Sequence, residues 1–176
     1  MNRLLLTPLQ IFARLKGAKF GKLSIIGPGY DWLSVSWRNV KIGNGVTIGR
    51  RAWVQTLSKG NGLILIGDNC SIGRDVVISS ASSIDIGRDC LVSFRVTIVD
   101  HDHDFVLGKS PVGVFVSSSK RVDIGERTFV GANSVILQGV SIGHDSIVGA
   151  GSVVTHSFPP NSIIAGNPAK LVRLRE

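Results

Sequence analysis

The run Asp100-His101-Asp102-His103-Asp104 places two imidazoles among three carboxylates within five residues. Histidine, with a reference pKa of about 6.5, takes up and releases protons near neutral pH, which suits it to general-base work on a weakly acidic group. A carboxylate beside such a base fixes its tautomer and stabilises the charged form it passes through. Two histidines separated by one residue share a face if the chain is extended, so the spacing alone leaves open whether His101, His103 or the pair is the base. For each of Asp100, Asp102 and Asp104 a solvated loop cap competes with an orienting role. His144 and His156 lie far downstream, and His144 is expected to be solvent-exposed.

The elements that hold this run are read from a repeat. From residue 42 an aliphatic residue recurs every six positions: Ile42, Ile48, Val54; Ile66, Ile72, Ile78; Ile86, Val92, Ile98; Ile124, Val130, Ile136; Ile142, Val148, Val154. Two residues before each stands another small or aliphatic residue, including Cys70, Cys90, Thr128, Ser134, Ser146 and Ser152. Inward residues at i−2 and i are the two-residue period of a strand, whereas a helix needs a spacing of three or four. Glycine follows nine of the fifteen aliphatics, but never the third of a group; it suits a corner at positive φ. Short strands, three to a circuit, predict a triangular parallel β-helix. No aromatic residue falls on an inward position of this pattern, in keeping with a prism too narrow for rings. Cys70 and Cys90 occupy equivalent inward slots and are expected to be core residues, not nucleophiles.

Coil starts at 42, 66, 86, 124 and 142 exceed an eighteen-residue circuit by six, two, twenty and no residues. The twenty-residue excess, residues 99–118, contains the His101 run, and long loops on rigid scaffolds are where function concentrates. Charge is unevenly placed. The net charge is +8, but residues 1–30 carry five basic side chains and no acid, and the last seven residues carry Lys170, Arg173 and Arg175 against Glu176. The body between is nearly neutral, which argues against a nucleic-acid platform. Two cysteines cannot form a disulfide framework, and no run of about eighteen apolar residues is present to cross a membrane.

The repeats, the histidine-bearing loop, and the tail from Pro159-Pro160-Asn161 through Ala165-Gly166-Asn167-Pro168-Ala169-Lys170 together resemble the hexapeptide-repeat acyltransferases over about residues 40–173. Within them the chain is most similar to sugar O-acetyltransferases of galactoside, maltose and surface-polysaccharide type. The resemblance implies a left-handed coil, a homotrimer with active sites between subunits, acetyl-CoA as donor and no metal. It places the catalytic histidine at His101, with His103 and Asp102 as further candidates. It sets Ala132, Ala150, Thr155, His156, Lys170 and Arg173 along coenzyme A, the last two facing its phosphates. Phe129 stands where the family often has tryptophan, keeping a stacking surface for acceptor, and Asp104 joins it on the acceptor side. An acceptor-binding asparagine of galactoside-type members aligns with Gly73, which argues against a simple galactoside.

The implied reaction is direct attack by a sugar hydroxyl on the thioester, on a free, nucleotide-linked or lipid-linked saccharide. N-acetylation of an amino sugar would use the same base and donor. A zinc enzyme resembling γ-class carbonic anhydrase is a competing reading, although no histidine precedes His101 to complete three ligands. A non-catalytic β-helix scaffold is another. Residues 1–22 are read as a basic amphipathic segment, with Leu4 to Phe20 at helical spacing, that caps the coil or touches an acidic membrane surface. Residues 23–170 are read as the β-helix and 171–176 as a tail, in a protein expected in the cytoplasm or at the inner face of the membrane.

Overall fold

The computed structural model describes residues 11, 15, 17–27, 36–57, 61–103, 107–108, 110 and 116–176. Three parallel sheets form the sides of a triangular prism. The first stacks Lys19–Phe20, Val40–Ile42, Leu63–Ile66, Ser83–Ile86, Val122–Ile124 and Ser141–Ile142 in sequence order. The second stacks Ile25–Ile26, Thr47–Ile48, Ser71–Ile72, Leu91–Val92, Phe129–Val130, Ile147–Val148 and Ser162–Gly166, and Ala169–Leu174 folds back antiparallel on its last strand. The third stacks Trp53–Thr56, Val77–Ser80, Thr97–Val99, Val135–Ile136 and Val153–Val154. The registers are those of the sequence repeat, for example Ile66↔Ile86 and Ile98↔Ile136. The parallel β-helix expected from the six-residue period is therefore the observed architecture.

All fifteen repeat aliphatics and all their i−2 partners are buried, so the core is a set of side-chain columns running along the prism. The polar members of one column have a specific reason to be there. Ser24 Oγ donates to Gly43 O at 2.6 Å, Cys70 Sγ to Gly87 O at 3.0 Å and Cys90 Sγ to Gly125 O at 3.2 Å. Each small donor satisfies a corner carbonyl of the coil that follows, which an aliphatic residue could not do. Both cysteines are buried and free, and Cys90 is pushed up by its contact with the Cys70 sulfur and by burial. A thiol kept protonated is a poor nucleophile, in agreement with a core role.

Two expectations are corrected. The glycines that follow the repeat aliphatics are not at positive φ; that conformation falls two residues later, at Gly45, Asn69, Asp75, Asp89, Asn133 and Asp145 among others. The repeat glycines are there because the next coil passes directly over them. A Cβ on Gly67 would lie 2.5 Å from Arg88 N, and one on Gly49 would lie 2.6 Å from Arg74 N. Aromatic rings are also not excluded from the interior. Trp37 is completely buried, its ring 6.0 Å from that of Phe20, and Phe158 is buried beneath His156. Both lie at the ends of the prism, beyond which no further coil stands among the described residues.

The coil also begins earlier than residue 42. Lys19–Phe20 and Ile25–Ile26 form two sides of a preceding turn, with Ala18, Ser24 and Ile26 buried as its inward residues. Ile11 and Leu15 are helical, while most of the Leu4–Phe20 segment lies outside the described residues and its last two residues are strand. Among the described residues no helix is long and apolar enough to cross a membrane.

The two kinds of glycine should respond differently to a methyl group. Gly67→Ala must push the backbone of the next coil aside and is expected to cost about 3 kcal/mol or more. Gly151→Ala, at φ +71° with nothing within 4 Å of the added carbon, bears only the left-handed strain of about 1 kcal/mol. Urea unfolding of the two variants checks this order.

Candidate active site

The third sheet delivers the His101 run. Thr97–Val99 ends a coil side, Asp100 turns the corner, and His101–His103 leaves the prism to pair antiparallel with Val116–Ser119. The excursion of residues 99–118 is thus a ribbon at its base. Its two feet are joined where Lys120 N–H donates to Asp100 O at 2.8 Å. The ribbon places His101 opposite Ser119 and Asp102 opposite Ser118, and a register shift follows before His103.

Asp100 is not a solvated cap. It is completely buried, and four donors surround its carboxylate. Ser80 Oγ donates to Oδ2 at 2.7 Å, Ala81 N to Oδ1 at 2.7 Å, Ser82 N to Oδ2 at 2.9 Å, and His101 Nδ1 lies 3.1 Å from Oδ1. Burial pushes the acid up, but the bonds from His101, the two amides and Ser80 outweigh it and hold Asp100 below the ordinary carboxylate range. The ionised carboxylate only accepts, so Nδ1 of His101 carries the proton and the Nε2 lone pair is left for chemistry. His101 is mostly enclosed, with 12% of its side chain exposed.

The donors come from a feature visible in the sequence as a number only. The coil below exceeds eighteen residues by two, and that excess falls between Ile78 and Ile86. It widens the corner at Ala81 and Ser82 and turns their amides toward Asp100. The signal for Asp100 over Asp102 was this two-residue excess directly beneath it. Asp102 instead accepts from the His103 N–H at 2.7 Å, and both are exposed on the ribbon. Asp104 lies outside the described residues.

The other candidate residues fall into three groups. Ala132 and Ala150 stack on the corner between the second and third sheets, linked by Gly151 N–H to Ala132 O at 2.8 Å. Lys170 pairs with Ala165 on the same side of the fold, and a Cβ on Gly149 would lie 3.2 Å from that of Ala165. Thr155 and His156 are exposed on the corner that carries His101, two coils further along the third sheet. His156 stacks on Phe158 at 4.5 Å. Phe129 and Arg173 face outward on the second sheet, Phe129 beside Leu91 and Ile147, Arg173 beside Ile163. One chain therefore does not gather these residues around His101: the Ala132 corner and the His101 corner lie at opposite edges of the third sheet, about 20 Å apart at 3.3 Å per residue. His144 is half-exposed and bonded to Asp145 Oδ2 at 2.7 Å. Gly73 has no room for the asparagine side chain of galactoside-type members, since its Cβ would meet Phe94 N at 2.7 Å.

No group of three or more histidine, cysteine, aspartate or glutamate side chains suited to hold a metal occurs among the described residues. The first coordination requirement of the zinc reading is therefore not provided by those residues.

The arrangement is a parallel β-helix of hexapeptide strands with an Asp–His pair at the foot of its excursion, and the chain is similar to proteins built on that repeat. A sequence profile described as the hexapeptide repeat of succinyl-transferase matches residues 63–93 and 121–156. Among curated proteins, the chain is 38% identical over 121 residues to the putative lipopolysaccharide biosynthesis O-acetyl transferase WbbJ of Escherichia coli, covering 65% of this chain and 62% of that one. It is 34% identical over 127 residues to galactoside O-acetyltransferase of Escherichia coli, covering 61% and 62%. The chain thus spans somewhat less than two thirds of these relatives' length. Its fold is that of AntD, an N-acyltransferase of Bacillus cereus solved as a point mutant in complex with dTDP and coenzyme A, at TM-score 0.74 and 22% identity over 90% of this chain and 84% of that chain. It is also that of a hexapeptide-repeat acetyltransferase of Vibrio cholerae solved with acetyl coenzyme A, at TM-score 0.62 and 22% identity over 99% and 81%.

Replacing Asp100 by alanine leaves the half-buried Ala81 and Ser82 amides without their acceptor, while Ser80 Oγ can still donate to Leu63 O, and is expected to destabilise the protein by about 2–4 kcal/mol. Because the folded acid is depressed, its contribution is present above the unfolded carboxyl pKa of about 4 and is lost as pH falls through the lower folded value. The stability gap between wild type and Asp100→Asn should therefore be full at pH 6 and narrow below pH 4, as read by urea titration at each pH.

Proposed function

We propose that the protein is an acetyl-CoA-dependent O-acetyltransferase that modifies a sugar hydroxyl of a saccharide or a nucleotide- or lipid-linked glycan. The single observation that carries this reading is the Asp100–His101 pair, buried at the foot of the ribbon with Nδ1 engaged at 3.1 Å. The names of the curated relatives, both O-acetyltransferases, supply the group transferred and the kind of acceptor.

In this reading Nε2 of His101 removes the proton of the acceptor hydroxyl as its oxygen attacks the thioester carbonyl. The tetrahedral intermediate then expels coenzyme A thiolate, which takes the proton back from His101. Asp100 is the positioning residue: it fixes the tautomer and stabilises the imidazolium without leaving its amide cradle. His103, Asp102, Asp104 and Phe129 are assigned in this reading to the acceptor. Coenzyme A runs along the stacked Ala132 and Ala150 corner, where small side chains leave a groove, with Lys170 and Arg173 near its phosphates and Thr155 and His156 reaching it from a second copy.

The wide separation of the Ala132 and His101 corners within one chain supports a site completed by a second copy, in a homotrimer. The outward residues of the third sheet suit such a contact: Val77, Thr97, Val99, Val135, Leu137 and Val153 are half-buried and uncharged. The first sheet presents Lys41, Asp85 and Asp123 instead. The donor places the enzyme in the cytoplasm, with peripheral contact at the inner face of the membrane through the basic N-terminal segment where the acceptor is lipid-linked.

Incubation with acetyl-CoA and a panel of sugars, nucleotide sugars and lipid-linked glycans, read by mass spectrometry, tests the reading. One added acetyl mass that alkaline hydroxylamine removes identifies an ester, and a hydroxylamine-stable product identifies an amide. His101→Ala should lower kcat by about 10²- to 10⁴-fold, whereas His103→Ala should cost less than about tenfold. If His101→Ala kept wild-type turnover, the assignment of the base would fall. Val135→Asp should convert a trimer to monomers in light scattering and abolish transfer with it.

A further inference from the structure

The corner between the second and third sheets changes character along the prism. In the coils above the ribbon it carries Ala132 and Ala150; in the coils at and below it, it carries Arg50, Arg51, Arg74 and Arg95 with a single acid, Asp75. These positions are stacked by the fold. Gly49 and Gly73 press on the backbones of Arg74 and Phe94, and the N–H groups of Asp75 and Arg95 donate to Arg50 O and Arg74 O at 3.1 and 3.0 Å. Arg50 and Arg74 are therefore one coil step, about 4.8 Å, apart, and Arg95 stands in the next coil one residue further along, over Asp75.

The opposite corner shows what the fold does with charge that has no further partner. There Arg88 meets Glu126 at 2.6 Å, Arg127 meets Asp145 at 2.8 Å, and the Asn44 amide meets Asp68 at 2.7 Å. On the basic edge only Arg51 is neutralised in this way, by two bonds to Asp75 at 2.6 and 2.9 Å. Arg50, Arg74 and Arg95 are exposed and form no ion pair among the described residues. The Arg74 guanidinium carbon stands 5.8 Å from the centroid of the Phe94 ring, within cation–π reach. The single Asp75 carboxylate is bonded to Arg51 and also feels the charges of Arg74 and Arg95, so four guanidiniums share one acid, an excess that is unfavourable to the fold and suited to an anion.

Coenzyme A has one anionic end. With its phosphates near Lys170, five strand steps or about 24 Å from Arg74, its thiol end points toward the coil of His101 and the lower basic edge remains for a second anionic ligand. We propose that Arg50, Arg74 and Arg95 bind the pyrophosphate of the acceptor, so that the acceptor is a glycosyl pyrophosphate and not a neutral saccharide. The guanidinium forks match phosphate oxygens bidentately, and the Phe94 ring is available to whatever the pyrophosphate carries next. This inference rests on the acetyltransferase reading and narrows its substrate class.

The test is calorimetry on the full-length protein with three probes: acetyl-CoA, uridine diphosphate and geranyl pyrophosphate. The wild type should bind acetyl-CoA and at least one of the two pyrophosphates. Arg74→Gln/Arg95→Gln should weaken pyrophosphate binding at least tenfold and leave acetyl-CoA affinity within about twofold; circular dichroism melting confirms that the exposed substitutions leave the fold intact. The tighter of the two pyrophosphates names the source, nucleotide or lipid. Acetyl-CoA binding without pyrophosphate binding overturns the proposal and leaves the acetyltransferase reading standing. Loss of acetyl-CoA affinity in the double variant also overturns it, assigning the edge to the donor. A wild type that binds no acetyl-CoA overturns the underlying reading itself.

Discussion

The backbone of each coil lies directly on the backbone of the next, and everything else in this molecule is arranged around that contact. Parallel hydrogen bonding fixes the step between coils. At the corners the step is so short that only glycine fits beneath the following turn: Gly67 under Arg88, Gly49 under Arg74, Gly131 under Ala150. Once the corners are pinned, side chains have only two directions, into the prism or out of it. The inward set becomes columns of Ile, Val and small donors. The outward set becomes ladders in which residue n faces its equivalent one coil away. A side chain's neighbours are thus set by its position within the coil.

The Asp100–His101 pair exploits a break in that regularity. A uniform coil commits most of its amides to neighbouring coils, and few turn toward a side chain. Two extra residues at Ala81 and Ser82 free two amides, and the buried Asp100 carboxylate takes them. The cost of burying a charge is met by four donors in fixed places, one of which is the histidine itself. Rigidity passes from the coil to the amides, from the amides to Asp100 and from Asp100 to His101, although the histidine stands at the start of a segment that leaves the prism.

Much of the fold was legible because the six-residue period constrains residue type on every side of the prism. The first turn was not, because Ala18, Ser24 and Ile26 carry the pattern weakly and a long gap follows before Val40. The buried Trp37 escaped the pattern for a related reason: rings are excluded only where coils lie on both sides. At the site, the resemblance to acyltransferases singled out His101 by its distance from the last aliphatic of a coil, where the residues alone left His101 and His103 open. Its partner could not be placed, since Asp100, Asp102 and Asp104 are chemically alike and only the widened corner below distinguishes them. The glycines were found at the right positions for the wrong cause, since φ and steric clearance leave the same letter in a sequence.

The bond from Lys120 N–H to Asp100 O clamps the two feet of the excursion together at the prism wall. What lies between the feet is consequently uncoupled from the coil's register: doubling its length would add only about 0.6 kcal/mol of closure entropy. Asp100 stands at the clamp itself and holds His101, the first residue beyond it. Under the proposed function, the stretch further out can therefore be exchanged, changing what is accepted, without moving the pair that handles the proton.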